Sequence, residues 1–272
     1  MIEQTRIRDI MWDAVKASVE AGIAIMKVYE TDFSVKNKSD NSPLTLADME
    51  SHTIISSMLQ STGIPVLSEE GNDIAYAERK EWAVFWLIDP LDGTKEFVNR
   101  NGDFTVNIAL IESSYPIAGV IYIPVEDVLF LGLPGKGAMK FENVIKHIDA
   151  CRNLEDFLRS GIRLPLIQDE RPYTVVCSRS HMSSETETFI EELKNLHGQI
   201  DYASRGSSLK LCMIAEGKAD IYPRFAPTME WDTAAGQAIA EASGAGVVRA
   251  EDGKRLQYNK NELLNPWFIV KR

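Results

Sequence analysis

The hydrophobic positions near the start of the chain follow a helical repeat. Apolar side chains recur three or four residues apart over residues 4–29, which is the spacing of an amphipathic helix. The positions are Ile7, Ile10, Met11, Ala14, Val15 and Val19. The polar stretch KNKSDNSP interrupts the pattern, and the same spacing returns after Pro43, over Thr45–Leu59. We therefore expect two helices before the first strand, with Asp48 near the start of the second.

Short apolar runs separated by turn residues follow, and they predict strands of a largely antiparallel sheet. The runs are Ile64–Leu67, Val84–Ile88, Phe104–Ile111, Ile117–Ile123 and Val128–Leu133. The next segment, Asn143–Asp169, is polar and irregular, so we place a junction there, between residues 1–165 and residues 166–272. Beyond it a strand at Thr174–Cys177 precedes helices that alternate with short strands. The predicted helices are Ser183–Leu196, Ser207–Glu216 and Thr233–Ser243.

This order of elements predicts two sheet-and-helix units packed in layers, an α+β or α/β sandwich with the functional site where the units meet. The composition is that of an ordinary globular protein, and 40 acidic against 29 basic residues give a net charge of −11. Such a charge argues against binding to nucleic acid or to anionic membranes. The three cysteines have no metal-site spacing, and we identify neither a signal peptide nor a membrane span, so we expect a cytoplasmic protein.

One loop concentrates the candidate chemistry. In IDPLDGTKEF, two aspartates, Asp89 and Asp92, flank Pro90 directly after an apolar run. Pro90 interrupts strand hydrogen bonding, and Gly93 allows a tight turn. Two carboxylates this close repel unless a cation lies between them, and oxygen ligands without a histidine favour Mg²⁺ over zinc. The alternative is an acidic turn in which one aspartate caps the next helix.

Two other acidic segments bear on this choice. In LSEEG, Glu69 and Glu70 follow another strand, and in EWDTAAGQAIAEASG, Asp232 stands at the expected N-cap of a helix. Each has a structural explanation, a solvated turn for the glutamates and a helix cap for the aspartate. Their occurrence together with the two-aspartate loop favours a metal cluster.

These segments also resemble a known family. SEEG, WLIDPLDGTKEF and EWDTAAGQAIAEASG look like the three signatures of the inositol monophosphatase superfamily of Mg²⁺-dependent, lithium-sensitive phosphatases. GSSLKLCMIAEGKADIYPRF and the residues after DGT resemble its branch of 3'(2'),5'-bisphosphate nucleotidases, and Lys95-Glu96 departs from the DGT-x-N-F of inositol phosphatases. The resemblance covers about Asp9 to Pro266. It implies an α+β fold, a layered αβαβα sandwich with a mostly antiparallel first sheet and a smaller α/β second half.

The resemblance also implies the metal ligands. Glu69, Asp89 and the carbonyl of Leu91 would bind one Mg²⁺, and Asp89, Asp92 and Asp232 a second, with a third ion left open. Thr94, oriented by Asp48 of SPLTLAD, would activate the attacking water together with Glu69. The alternative for Asp48 is a first-turn acid that stabilises its helix dipole. The amides of Gly93 and Thr94, at the start of a short helix, would face the phosphate.

Substrate contacts follow in the same way. The family pattern assigns them to Glu69, Leu91, Asp92, Gly93, Thr94, His181, Ser207, Ser208, Lys210, Arg224 and Asp232. Lys210 and Arg224 would lie near the non-reacting phosphate of a nucleotide, with solvated surface charge as the alternative. His181 of SRSH would contribute to the nucleotide pocket, although a histidine at a helix start is more often a local hydrogen-bonding group.

The function implied is hydrolysis of the 3'-phosphate of adenosine 3',5'-bisphosphate (PAP) to AMP, with its sulfated analogue PAPS as a further substrate. The first alternative is an inositol- or sugar-phosphate phosphatase on the same scaffold, which the acidic cluster does not distinguish. The second is a non-catalytic metal- or nucleotide-binding protein, which should have lost a ligand or the Thr94–Asp48 pair. The sequence leaves open the oligomeric state and a peripheral association with the membrane.

Overall fold

The chain is described by a computed structural model that covers residues 2–31, 43–166, 171–177 and 183–272. Its helices are α1 Gln4–Tyr29, α2 Pro43–Gln60, α3 Tyr76–Arg79, α4 Thr94–Val98, α5 Val144–Ile148, α6 Leu154–Leu158, α7 Ser184–His197, α8 Leu209–Glu216 and α9 Glu230–Ala242. Its strands are β1 Val66–Ser68, β2 Val84–Asp92, β3 Thr105–Glu112, β4 Tyr115–Ile123, β5 Val128–Leu133, β6 Gly137–Glu142, β7 Ile162–Leu164, β8 Tyr173–Val176, β9 Ile200–Ala203, β10 Ile221–Arg224, β11 Gly246–Arg249 and β12 Phe268–Lys271.

Two sheets organise these strands. The first runs in the order β1-β2-β3-β4-β5-β6-β7, with β1 parallel to β2 and every later pair antiparallel. The second runs β11-β12-β10-β8-β9, with parallel pairs β10–β8 and β8–β9. The predicted mostly antiparallel first sheet and smaller mixed second sheet are both confirmed.

Three hydrophobic clusters fix the layers. The first joins α1 and α2 to one face of the first sheet through residues such as Met11, Ile55 and Trp86. The second fills the space between the other face of that sheet and α8, α9 and the second sheet, and the third lies between the second sheet and α7. The layers therefore run helix, sheet, helix, sheet, helix, which confirms the predicted αβαβα sandwich.

Helix α9 sits unusually close to the first sheet. A Cβ atom added at Gly119 on β4 would lie 2.6 Å from the carbonyl oxygen of Ala235, and one at Gly132 on β5 would lie 2.8 Å from that of Ala238. The nearest helix atoms are backbone atoms of Ala235, Ala238 and Ile239 and the Cβ of Ala238, so the helix backbone packs almost directly against the two glycines. This contact sets the height of the whole helix over the sheet.

Several sequence predictions need correction. The segment Asn143–Asp169 is not irregular throughout, because α5, α6 and β7 lie within it, and β6 was not predicted at all. Strand β2 does not end at Ile88, as predicted, but continues to Asp92. The division at residue 165 stays a prediction.

Among the described residues, no helix combines the length and apolar character needed to cross a lipid bilayer.

Candidate active site

A β-bulge places the two aspartates of the β2 loop on one face. In the pairing of β2 with β3, Asp89 stands opposite Asn107 and Asp92 opposite Thr105, with a shift of register between the two pairs. Residues three apart in a regular strand point to opposite faces, but the extra residue makes Asp92 follow Asp89 as if it were two positions away. Both carboxylates therefore project from the same side of the sheet.

Gly93 turns the chain directly after this bulge. Its φ of 95° lies in the left-handed region, and a Cβ atom there would come within 3.0 Å of the Asp103 carbonyl oxygen. Helix α4 begins at the next residue, Thr94, which is exposed. The predicted short helix after Gly93 is thus confirmed, and the amides of its first turn have no acceptor within the helix.

Glu69 reaches the same place from the neighbouring strand. Because β1 is parallel to β2, the two strands end side by side, and the amide of Glu69 donates to the carbonyl of Ile88 at 3.3 Å. Glu70 is the next residue, and its charge raises the pKa of Glu69. The sequence alone did not distinguish which of the two glutamates is the inner one, and the geometry groups Glu69 with the aspartates.

Asp232 enters from α9, although not as the predicted N-cap. Met229 occupies the N-cap, and Asp232 is the third residue of the helix, where its carboxylate accepts a hydrogen bond from the Met229 amide at 2.8 Å. Only one of its oxygen atoms is used in this way. Asp232 therefore caps α9 from the N3 position, and its second oxygen atom stays available to a ligand.

These carboxylates converge. Oxygen atoms of Glu69, Asp89 and Asp232 all lie within 4.8 Å of one another. Burial and the mutual repulsion of the acids raise the pKa of Glu69 and of Asp92 to about 7. Burial also raises the pKa of Asp232 to about 6, against the hydrogen bond from Met229, and the buried Asp89 has a pKa well above its usual value.

The donor set fits a hard divalent cation. The charged side chains that act most strongly on Asp89 are all acidic: Asp92, Glu69, Asp232 and Asp48. Carboxylates grouped around the buried Asp89 are costly because their like charges repel, and oxygen donors of this kind are those that Mg²⁺ prefers. Glu69, Asp89, Asp92 and Asp232 are therefore suited to hold metal ions, and their assignment as ligands stays a prediction.

Asp48 lies at the edge of this cluster, on α2. Burial, and then the charges of Glu70 and Glu69, raise its pKa to about 8. The helix is fastened to the acidic loop by Ser51, whose hydroxyl donates to the Pro90 carbonyl at 2.7 Å. In the described part of the chain no hydrogen bond joins Asp48 to Thr94, so their predicted cooperation stays a prediction.

A cavity of about 370 Å³ opens beside the acids. Its lining includes Asp92, Gly93, Lys95, Glu96, Ser207, Lys210, Tyr222, Arg224 and Asp232. The structure thus brings the predicted substrate residues Ser207, Lys210 and Arg224, here called the cationic wall, to the same cavity as Asp92 and Asp232, two of the predicted metal ligands. It also places Lys95 and Glu96, which depart from the inositol phosphatase signature, on the same cavity.

The cationic wall is partly buried. Lys210 is 9% exposed, its ammonium donates to the Ser207 carbonyl at 3.1 Å, and burial lowers its pKa. The Oγ of Ser207 and the Nε of Arg224 are buried and have no hydrogen-bond partner among the residues that the structure describes. Such unpaired polar atoms are costly in a folded protein, and at a cavity wall they are available to a polar ligand.

Two predicted substrate residues, Ser208 and His181, are not shown at the cavity as expected. Ser208 is the N-cap of α8, but its hydroxyl does not cap the helix, because it donates to the side chain of Asn107 at 2.9 Å. His181 lies outside the described residues.

A larger cavity of about 770 Å³ lies elsewhere, beside His52 and Ser68, and its described lining contains no lysine or arginine. It therefore lacks the cations that a phosphorylated ligand requires.

Sequence reasoning missed the contacts that surround Asp92, since it did not name Asn107 and assigned Ser208 to the substrate. The amide of Asn107 and the backbone N–H of Ser208 both donate to its Oδ2, at 3.2 and 2.6 Å. Asn107 looked like an ordinary polar position in an apolar strand. The available signal was its place opposite the two-aspartate loop, which only the register of β2 and β3 reveals.

Comparisons with known proteins agree with this fold. The model of the inositol monophosphatase family matches residues 8–268, so the chain belongs to that family of metal-dependent phosphatases. Its curated relatives include the 3'(2'),5'-bisphosphate nucleotidase CysQ of Shigella flexneri, which is 46% identical over 256 residues, 92% of this chain and 94% of the relative. CysQ of Escherichia coli K12 is 45% identical over 255 residues, with the same coverage of both chains.

Solved structures extend the likeness to three dimensions. The crystal structure of CysQ from Bacteroides thetaiotaomicron has a TM-score of 0.91 and 49% identity, and the match covers 95% of each chain. Inositol monophosphatase II from Staphylococcus aureus has a TM-score of 0.71 at 22% identity, over 95% of this chain and 87% of that one. The second match shows the shared fold alone.

Proposed function

We propose that this protein is a Mg²⁺-dependent 3'(2'),5'-bisphosphate nucleotidase. It would remove the 3'-phosphate of PAP to give AMP and phosphate, and would act on PAPS as well, in sulfur assimilation. The observation that carries the proposal is the cavity that joins the acidic cluster to Lys210 and Arg224. A substrate with two phosphates can place one at the acids and the other near the cations. The names of the CysQ relatives support the same assignment.

The metal ions would be held by Glu69, Asp89, Asp92, Asp232 and the carbonyl of Leu91. When bound, they supply positive charge to the phosphoryl oxygens and the leaving oxygen, and they lower the pKa of water. We take two ions as the working number and leave a third open.

The protein's own groups would do the rest. The first-turn amides of α4 bind phosphoryl oxygens, since they lack intrahelical acceptors. Thr94 would orient the attacking water and relay its proton: the threonine oxygen accepts the proton that the water loses, while its own hydroxyl proton passes to the ionised carboxylate of Asp48. Lys210 and Arg224 bind the second phosphate, and because Lys210 is buried its charge acts through less water than a surface lysine's would.

The test is phosphate release from PAP, inositol 1-phosphate and fructose 1,6-bisphosphate with Mg²⁺, with and without lithium. We expect PAP to be hydrolysed fastest and lithium to inhibit. A preference for inositol phosphate would replace the nucleotidase by the alternative phosphatase, and no turnover of any substrate would leave a binding protein.

A pair of variants tests the cationic wall. Lys210→Met should raise the KM for PAP by about tenfold or more, because a hydrogen bond to a charged group contributes about 1.5–3 kcal/mol. The matched control is Lys218→Met, which removes a lysine that is 46% exposed and paired with Glu216. Equal KM values for both variants would contradict the role of Lys210.

A further inference from the structure

One oxygen atom of Asp92 is fully occupied within the protein. Its Oδ2 accepts from the Ser208 amide at 2.6 Å and from Asn107 Nδ2 at 3.2 Å. Among the described residues no hydrogen bond reaches Oδ1. Two donors on one oxygen fix the rotation of the carboxylate and leave the other oxygen as the one available to a cation.

The Asn107 side chain is itself held in place. It is 1% exposed, and its Oδ1 lies 3.0 Å from the Thr105 hydroxyl and 2.9 Å from the Ser208 hydroxyl. The two hydroxyls are 2.8 Å apart, so one donates to the other and the remaining proton goes to Oδ1. The amide oxygen is therefore an acceptor, and the NH₂ group must face Asp92.

Every polar member of this network is buried. Thr105 and Ser208 are 0% and 2% exposed. Such a network is rigid when all its members are paired, and it joins the first sheet to the loop before α8. Asn107 and Thr105 are the partners of Asp89 and Asp92 in the pairing of β3 with β2. The bulge of β2 therefore places Asp92 next to the network.

From this geometry we propose that Asn107 is a positioning residue, which orients the Asp92 carboxylate so that Oδ1 faces the divalent cation. The inference rests on the proposed function in one respect, namely that Asp92 is a metal ligand. Asn107 touches neither substrate nor cation, and acts through Asp92. Loss of a partner that orients a metal ligand costs about 10- to 100-fold in metal affinity.

Asn107→Leu tests the proposal, because it keeps the approximate shape and removes the donor. The readout is Mn²⁺ binding by the full chain without nucleotide, followed by the electron paramagnetic resonance signal of free Mn²⁺. We expect the Kd for Mn²⁺ to rise about 10- to 100-fold. The Mg²⁺ concentration for half-maximal phosphatase activity should rise in parallel, while the KM for PAP at saturating Mg²⁺ changes by less than about threefold.

A control separates positioning from general destabilisation. Tyr122→Phe removes one hydroxyl from the same sheet, the group that donates to Asp127 at 2.9 Å, and should leave Mn²⁺ affinity unchanged. If Asn107→Leu does not fold, the double variant Thr105→Val, Ser208→Ala decides. It keeps the Ser208 amide and the Nδ2 donor of Asn107 but removes the two hydroxyls that hold the Asn107 side chain. The amide group can then rotate away from Asp92, so we expect the Kd for Mn²⁺ to rise at least threefold.

The outcomes are distinct. Mn²⁺ affinity within twofold of the wild type in folded Asn107→Leu, or in the double variant where Asn107→Leu does not fold, overturns the proposal that a firmly held Asn107 side chain orients Asp92. A wild-type chain that binds no Mn²⁺ overturns it as well. Because the titration contains no nucleotide, a failure to hydrolyse PAP would count against the proposed substrate and leave this result standing.

Discussion

The carboxylate of Glu230, which is completely buried, lies 2.6 Å from the ammonium of Lys260. It also accepts hydrogen bonds from the backbone amides of Asn259 and Lys260, at 2.6 and 3.0 Å. Glu230 is the first residue of α9, two positions before Asp232. The pair therefore anchors the end of the helix that brings this acid to the site.

Lys260→Met should destabilise the protein. A hydrogen bond to a charged group contributes about 1.5–3 kcal/mol, and we expect the lower end, about 1.5 kcal/mol, because the lysine side chain is 31% exposed. Urea unfolding measures the change. The control Lys254→Met removes a lysine that is 75% exposed and should change the free energy of unfolding by less than about 0.5 kcal/mol. Equal losses would show that the buried partner does not matter.

Asp89→Asn should nearly abolish phosphatase activity while leaving the fold intact. The amide oxygen can still accept the Leu91 N–H bond, now 3.1 Å long, but the charge for the cation is lost. We expect kcat/KM to fall by more than about 100-fold, since even outer partners of metal ligands are worth about 10- to 100-fold. The thermal midpoint in EDTA should stay the same or rise, because one repelling charge is removed. Retained turnover would refute the bridging role.

Gly93→Ala should cost both stability and activity. The left-handed backbone costs a residue with a Cβ about 1–2 kcal/mol, and here the new atom also meets the Asp103 carbonyl oxygen at 3.0 Å. Gly63→Ala is the matched control, because its φ of 68° is also positive but no atom lies within 4 Å of the added Cβ. Chemical denaturation of both variants, with phosphate release, isolates the effect of the close approach. If Gly63→Ala loses as much of both, the crowding at Gly93 is not the cause.

The metal-free protein should lose stability as the pH rises from about 4 to about 8. The folded-state pKa is about 6 for Asp232, about 7 for Glu69 and Asp92, and about 8 for Asp48, all above their unfolded values near 4. The folded chain then binds more protons than the unfolded chain in this window, so raising the pH favours unfolding, by up to tenfold in the equilibrium constant per pH unit for each extra proton.

Mg²⁺ should reverse this trend, because it binds the deprotonated acids and replaces the protons. Thermal melts at pH 5, 6, 7 and 8, in EDTA and in Mg²⁺, provide the measurement. The gain from Mg²⁺ should grow with pH. A gain that is the same at pH 5 and pH 8 would contradict the assignment of these acids as ligands.

The regular elements were predictable where the hydrophobic repeat is long. Helix α1 has the predicted bounds, since its apolar stripe runs without interruption to Tyr29. Strand β2 was predicted four residues short, because Pro90 and two acids look like a turn, whereas the strand continues through a bulge. Strand β6 was missed, since its sequence GAMKFE has no clear alternation of apolar and polar positions.

The candidate site, like the fold, was only partly predictable from the sequence. Glu69, Asp89, Asp92 and Asp232 stand in recognisable signatures, and the structure groups their carboxylates. The contacts around Asp92 leave no local trace, since Asn107 looks like an ordinary polar residue and Ser208, 101 residues further along the chain, was assigned to the substrate. Such pairs depend on strand register and on the docking of α8, which spacing along the chain does not encode.

The contact of α9 with Gly119 and Gly132 has a consequence for the chemistry. Asp232 is carried by the helix, while Asp89 and Asp92 are carried by the sheet on which that helix rests. The two glycines therefore set the distance between the acid on the helix and the two acids on the sheet, although neither glycine belongs to the acidic cluster. A methyl group added at either glycine would push the two layers apart and widen this distance. The spacing of the acids therefore depends on residues of the sheet that do not line the cavity beside them.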